Sequence, residues 1–326
     1  MPRVPRPAVV TAAALSLGLL ATAPATGGEP AVSEPRVVAH FDFARGESPE
    51  NIALEPDGSA DLTLSTARQV VNVTRQGRTR ILATLPAVAD PKTPVVGRAV
   101  VLGIARAENG TLYVTYATGT ARTGIWRIAP DGSAPRQIAA LPPTGFPNGL
   151  ALDERRGVLY AADSVLGTVW RVPCHGGAPT AWATGAALEP RNAPPAARVG
   201  VNGLRFHRDA VWVSNTNAGT LLRIRVRENG FAGPIETRAT RLYAIDDFGF
   251  VERNKDTALA ALTGGSEIAL VRPDGAHRVV LTPKDGLSNP TSVAVRGRTA
   301  YIPSAAYFTR KDPNLLLARV YQRARD

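Results

Sequence analysis

The chain is poor in the residues that usually hold small exported proteins together or do acid–base work. It has one cysteine, Cys174, in 326 residues, and a lone thiol closes no internal disulfide. A folded state must therefore rest on packing. Cys174 sits in the turn-like stretch Pro173-Cys174-His175-Gly176-Gly177, and one Cys beside one His makes no zinc site. Lysine is scarce as well: of 38 basic residues only Lys92, Lys255, Lys284 and Lys311 are lysines. The net charge of +11 is thus an arginine charge, as a GC-rich bacterial genome produces. The arginines are spread along the chain, which favours a solvated basic surface over a nucleic-acid site. No apolar run after the first 30 residues is long enough to span a membrane. Amphipathic helical periodicity is also missing.

The first 28 residues read as a secretory signal peptide. Arg3 and Arg6 give a positive start, Ala8 to Ala23 is apolar, and Ala23-Pro24-Ala25 is a small-residue cleavage site. No cysteine stands there to carry a lipid. The expectation is a secreted, extracellular, monomeric domain over residues 29–326, with no integral membrane segment after cleavage.

What the remainder contains is a repeat. A small loop, a polar residue and an apolar strand recur at Glu50-Asn51-Ile52, Leu102-Gly103-Ile104, Asn148-Gly149-Leu150, Asn202-Gly203-Leu204, Asp246-Asp247-Phe248 and Asn289-Pro290-Thr291. The steps are 52, 46, 54, 44 and 43 residues, the size of a four-stranded propeller blade. Second strands follow in step, as in Leu112-Tyr113-Val114 and Val211-Trp212-Val213, and third strands as in Ile125-Trp126-Arg127 and Val169-Trp170-Arg171. Aromatic and β-branched residues in alternation are strand chemistry. The last unit has only three strands of its own. Residues 36–43 resemble the fourth strands elsewhere, so they are expected to complete it and leave no open edge. The fold class expected is all-β, a six-bladed β-propeller.

In a propeller blade the first strand is innermost, and its starting residue looks into the central pore. That position reads Glu50, Leu102, Asn148, Asn202, Asp246 and Asn289. Glu, Asp and Asn are hard oxygen donors suited to Ca²⁺, Mg²⁺ or Mn²⁺, and Glu50 with Asp246 supplies two negative charges. Glu50, Asn148, Asn202 and Asp246 are the candidate metal ligands. None of the four histidines is expected at the pore: His207, His175 and His277 fall toward the opposite face, and His40 on the closing strand. Tyr116, Asp163 and Asn215 are selected as substrate contacts from the loops between second and third strands. Phe146 joins them as an apolar wall.

This ring, carried by Ser48-Pro49-Glu50, Phe146-Pro147-Asn148-Gly149-Leu150 and Val201-Asn202-Gly203-Leu204, resembles that of the gluconolactonase, regucalcin and strictosidine-synthase-like propellers over about residues 36–326. The resemblance implies a divalent metal, most often Ca²⁺ with Mn²⁺, Mg²⁺ or Zn²⁺ as alternatives, on Glu50, Asn148, Asn202 and Asp246. It implies hydrolysis of a lactone or related ester, and Asp246 with Asp247 is the candidate catalytic pair that takes a proton from the attacking water. There are departures. Asn51 and Asp247 stand where such members often have glycine, and Phe146 where sugar-lactone members often have arginine. A small-molecule substrate less polar than a sugar lactone is expected. The competing expectation is a non-enzymatic extracellular binding or scaffold propeller with a structural calcium ion, motivated by Leu102 in the ring.

Overall fold

The computed structural model describes residues 1–2, 32–191 and 198–321. The leader expected over residues 1–28 lies outside them but for its first two residues. Six four-stranded antiparallel sheets follow one another around a central axis. Blades 1 to 5 each run from an inner to an outer strand in chain order, with inner strands Pro49–Leu54, Val100–Arg106, Pro147–Asp153, Val201–His207 and Ile245–Phe250. Blade 6 takes its inner strand Ala294–Arg296, then Thr299–Ser304 and Asn314–Val320, and closes with Val32–His40 as its outermost strand. The ring is thereby fastened by the chain's N-terminal strand, starting four residues before the segment picked from sequence. The only helical pieces among the described residues are three short 3-10 turns.

The core is not one mass but a set of seams. Each seam joins one blade's middle strands to the next blade's. Tyr160, Val169 and Leu188 of blade 3, for example, pack on Leu204, Val213 and Ile224 of blade 4. Equivalent seams close every other blade pair, including blade 6 on blade 1 through Leu315, Tyr301, Ile52 and Leu62. Second strands such as Leu112–Ala117 and Val158–Asp163 are buried throughout, while outer strands such as Thr79–Thr84 are mostly exposed. This gradient explains why the second-strand pattern is the easiest to read in the sequence: both faces of those strands are covered.

Among the described residues no helix is long and apolar enough to cross a membrane.

Candidate functional site

Each inner strand of blades 1 to 5 carries a one-residue register shift near its start. Pro49 pairs Leu64 but Ile52 pairs Leu62, and the same step recurs at Val101/Ile104, Pro147/Leu150, Val201/Leu204 and Ile245/Phe248. Such a bulge re-aims side chains and bends the strand. It gives the pore two successive tiers. The upper tier holds Glu50, Leu102, Asn148, Asn202 and Asp246. The lower holds Asn51, Gly103, Gly149, Gly203 and Asp247.

The bulge amides are satisfied from the second strands. Asn51 N donates to Thr63 Oγ1 at 3.0 Å, Gly103 N to Thr115 Oγ1 at 2.7 Å, and Gly203 N to Ser214 Oγ at 2.8 Å. The same hydroxyls then donate onward to the neighbouring blade: Thr63 to the Leu102 carbonyl at 2.5 Å, Thr115 to that of Asn148 at 2.6 Å, and Ser214 to that of Asp246. The upper tier is thus fixed by its backbone, from blade to blade. The lower-tier glycines are required by this closeness: a Cβ on Gly149 would lie 2.4 Å from the Asn202 carbonyl oxygen.

In blade 6 the expected ring residue is corrected. Pro290 bridges Ser304 in the register that Val201–Asn215 holds in blade 4, so the upper-tier residue is Thr291 and the lower-tier residue Ser292. Asn289 lies outside the ring with a left-handed backbone, φ 54°. Its side chain accepts from Phe308 N and Thr309 N and donates to the Thr263 carbonyl, fixing the loop that carries Tyr307.

Glu50, Asn148, Asn202 and Asp246 line one cavity of about 400 Å³, together with Leu102 and Phe146. Hydroxyls of Ser65, Thr66, Thr216, Thr263 and Tyr307 join them, and Val95, Val96, Val100, Val199, Ala244 and Phe308 make the walls. Leu102 and Phe146 belong to a small apolar cluster with Val100 and Ala117 beside the ring. Glu50, Asn148 and Asn202 are at least 95% buried, and Asp246 is partly buried. Tyr307 donates its phenolic hydrogen to Glu50 Oε2. Asn202 Nδ2 donates to Asp246 Oδ1 at 2.8 Å and to Thr216 Oγ1 at 2.9 Å, and Thr263 Oγ1 donates to Asp246 Oδ2 at 3.1 Å. Burial pushes the Glu50 carboxyl up to about 7, against the Tyr307 hydrogen bond that lowers it and with the charge of Asp247 that raises it further. Burial, then the charges of Glu50 and Asp247, hold Asp246 well above the ordinary carboxylate range.

The donor set can be tested for a cation without reference to any relative. Asn202 Oδ1 and Ser65 Oγ are buried here with no hydrogen-bond partner. Unpaired buried oxygens are costly and call for a partner. Two carboxylates and two amides are also the hard-oxygen set that Ca²⁺ and similar ions take. Among the described residues there is no group of three or more His, Cys, Asp and Glu side chains placed to hold a metal. The ring differs in kind, pairing two acids with two amides.

Four sequence-selected residues stand elsewhere. Tyr116, Asp163 and Asn215 occupy one equivalent register position, opposite Val101, Pro147 and Val201 at the end of the second strand. From there each side chain turns toward the segment entering its blade. Tyr116 donates to the Pro86 carbonyl at 2.6 Å within the blade 1–blade 2 seam. Asp163 accepts from Phe146 N at 2.9 Å and from Trp170 Nε1 at 3.3 Å. Asn215 donates to the carbonyls of Ala187 and Glu189 at 2.9 and 3.0 Å. All three are scaffold residues, and none lines the cavity. Asp247 does not line it either.

Asp247 belongs instead to a polar latch in the lumen beneath the ring. Its Oδ2 meets Arg205 Nη2 at 2.5 Å and accepts from Asn51 Nδ2 at 3.0 Å and Ser292 Oγ at 2.9 Å. Arg205 Nη2 also donates to Ser292 Oγ at 2.8 Å and to Asn51 Oδ1 at 3.4 Å. Blade 4 stands opposite blade 1, so Arg205 reaches across the pore. It can do so because the matching positions in the other blades are Ala53, Ala105, Ala151, Gly249 and Ala294. The sequence signal was present: one arginine in a register otherwise held by alanine and glycine.

None of the four histidines lines the ring cavity. His207 bonds the Lys255 carbonyl at 2.9 Å and stacks on Phe250, and His40 contacts Asp312 at the outer edge.

The architecture is shared with solved propellers of several activities. Over 90% of this chain and 98% of the other, it is similar to a gluconolactonase from Xanthomonas campestris, with a TM-score of 0.61 and 16% identity. A calcium-binding regucalcin from Agrobacterium tumefaciens is similar over 88% of this chain and 93% of its own, at a TM-score of 0.63 and 15% identity. A PQQ-bound aldose sugar dehydrogenase from Streptomyces coelicolor is similar over 90% and 99%, at a TM-score of 0.62 and 17% identity. At such identities the likeness is one of fold, and fold alone does not assign chemistry. No protein-family model matches the chain, and none of the curated proteins is similar to it in sequence.

Proposed function

We propose that the protein is an exported, metal-dependent hydrolase of a compact, weakly polar lactone or related ester. The observation that carries this reading is the composition of one cavity: two acids and two amides among its lining, with apolar side chains around its walls. Glu50, Asn148, Asn202 and Asp246 would hold a divalent cation, Ca²⁺ being the best match to their chemistry. When bound, such an ion polarises a carbonyl oxygen and lowers the pKa of water.

The chain's own groups supply the rest. Val95, Val96, Val100, Leu102, Phe146 and Phe308 exclude water and take up an apolar acyl or ring portion. Asp246, whose Oδ1 and Oδ2 are each held by a hydrogen bond, would accept the proton of an attacking water. Tyr307 orients the Glu50 carboxylate. The cavity presents no arginine to read sugar hydroxyls, which sets the substrate apart from a polyhydroxylated lactone.

The test is turnover by purified mature protein over a panel of alkyl- and aryl-substituted lactones, with Ca²⁺, Mn²⁺ or Zn²⁺ added and with chelator. Hydrolysis that chelator and Asp246→Ala both abolish, in a folded protein, supports the reading. Activity indifferent to both contradicts it. A calcium-dependent rise in melting temperature with no turnover on any ester would instead favour the binding or scaffold propeller that Leu102 in the ring already hints at.

A further inference from the structure

The acids around the lumen do not balance a divalent ion until Arg205 is counted. Glu50, Asp246 and Asp247 are three carboxylates within one pore; Glu50 and Asp247 are at least 96% buried and Asp246 is partly buried. Three negative charges on adjoining tiers would leave a divalent cation one short. Arg205 lies against Asp247 Oδ2 at 2.5 Å, with Asn51 and Ser292 saturating the same oxygen. The side chain of Asp247 is only 1% exposed and that of Arg205 18%, so solvent does little to screen the pair.

We propose that Arg205 is the charge-setting residue of the ring: by neutralising Asp247 it holds the lumen at a net charge of minus two and so tunes the upper tier for divalent ions. The inference rests on the metal reading given above. Its basis is position. The five matching positions are alanine or glycine, which makes room for one long cation and supplies no second. Asp247 sits beside Asp246 in the chain, and the charge of Asp247 acts on both Asp246 and Glu50. A charge placed or removed at this level is therefore felt by the ion through a poorly screened path.

The pair also explains why Asp247 should not be read as a ligand or base. Its Oδ2 is engaged by three partners and its Oδ1 by Phe248 N at 2.8 Å, and the side chain does not line the cavity. Arg205 thus separates two adjacent acids into different tasks, one at the ring and one beneath it.

Charge balance and mere shape predict opposite results for a pair of variants. Ca²⁺ titration by calorimetry would be run on the wild-type chain, on Asp247→Asn and on the double variant Arg205→Met with Asp247→Asn, with melting curves for each. Asp247→Asn leaves Arg205 unopposed under the ring, and Ca²⁺ affinity should fall by about tenfold or more. The double variant restores the net charge while breaking the latch twice over, and its affinity should return to within about threefold of wild type. A double variant as weak as Asp247→Asn, with both chains folded, overturns the proposal and leaves Arg205 a packing residue. Should Asp247→Asn fail to fold, the double variant decides alone: near-wild-type affinity supports charge balance, and a loss of about tenfold overturns it. A wild-type chain that takes up no Ca²⁺ overturns the metal reading together with this one, whereas binding without restoration overturns only this one.

Discussion

Tyr307 donates its phenolic hydrogen to Glu50, tying the loop between the second and third strands of blade 6 to the first acid of the pore. The bond does two things. It engages Glu50 Oε2, and it holds the Glu50 carboxyl lower than burial alone would set it. Asn289, from outside the ring, anchors the same loop through Phe308 N and Thr309 N.

Tyr307→Phe keeps the ring and removes the donor. Glu50 should then hold its proton to higher pH and compete less well for a cation. Ca²⁺ affinity near neutral pH should weaken by about tenfold, in keeping with the ~1.5–3 kcal/mol of a hydrogen bond to a charged group. Calorimetric titration reads the change. Unaltered affinity would make the Tyr307 contact incidental to binding.

The metal-free protein should lose stability as pH rises. Glu50 is raised from 4.5 to about 7, and Asp61, between blades 1 and 2, from 3.8 to about 7, in both cases chiefly by burial. An acid with a raised folded-state pKa binds its proton more tightly when folded. Its contribution is therefore complete below about pH 4 and is lost as pH climbs through about 7. The melting temperature in chelator should fall across that window. Added Ca²⁺ should offset more of the fall at pH 8 than at pH 5, because binding must displace protons from the ring. Asp61→Asn should flatten the chelator curve without touching the Ca²⁺ increment. A curve that is flat in chelator contradicts the assignment.

Much of this site was legible before any coordinates, and the parts that were not share one cause. The strand repeat sets blade number, the closing strand and the ring residues of five blades, because second strands are buried on both faces and mark the period. Blade 6 slipped by two residues. Asn289-Pro290 imitates the Pro-Asn strand starts elsewhere, yet Asn289 adopts φ 54° and the inner strand regularises only at Ala294. Tyr116, Asp163 and Asn215 failed for a different reason. Loop position says which end of a blade a residue is on, but strand pleat decides whether its side chain faces the pore or the preceding segment. The bulge was also invisible, and without it Asn51 and Asp247 cannot be seen as a separate tier from Glu50 and Asp246.

Gly149→Ala tests the tier geometry. A Cβ there would lie 2.4 Å from the Asn202 carbonyl oxygen and 2.7 Å from Leu204 N, both backbone atoms. Overpacking of this kind costs about 1–3 kcal/mol, so the melting temperature should drop by several degrees. Because the displaced strand carries Asn202, Ca²⁺ affinity should drop with it. Stability lost with affinity intact would show that the ring tolerates movement of that strand.

Tyr116→Phe and Asn215→Ala separate scaffold from site. Loss of the Tyr116 bond to Pro86 should cost about 1 kcal/mol, and loss of the two Asn215 bonds somewhat more. Neither should alter ion affinity or the substrate preference of the folded protein. A change in KM at unchanged stability would return these residues to the cavity.

The most direct test of the central claim is ion stoichiometry at the ring. Chelator-treated mature protein, titrated with Ca²⁺ in a calorimeter beside Asp246→Asn, should take up one ion per chain where the variant takes up none, while both unfold as cooperative domains. No uptake by the wild-type chain, or equal uptake by both, would contradict a metal held by Glu50, Asn148, Asn202 and Asp246.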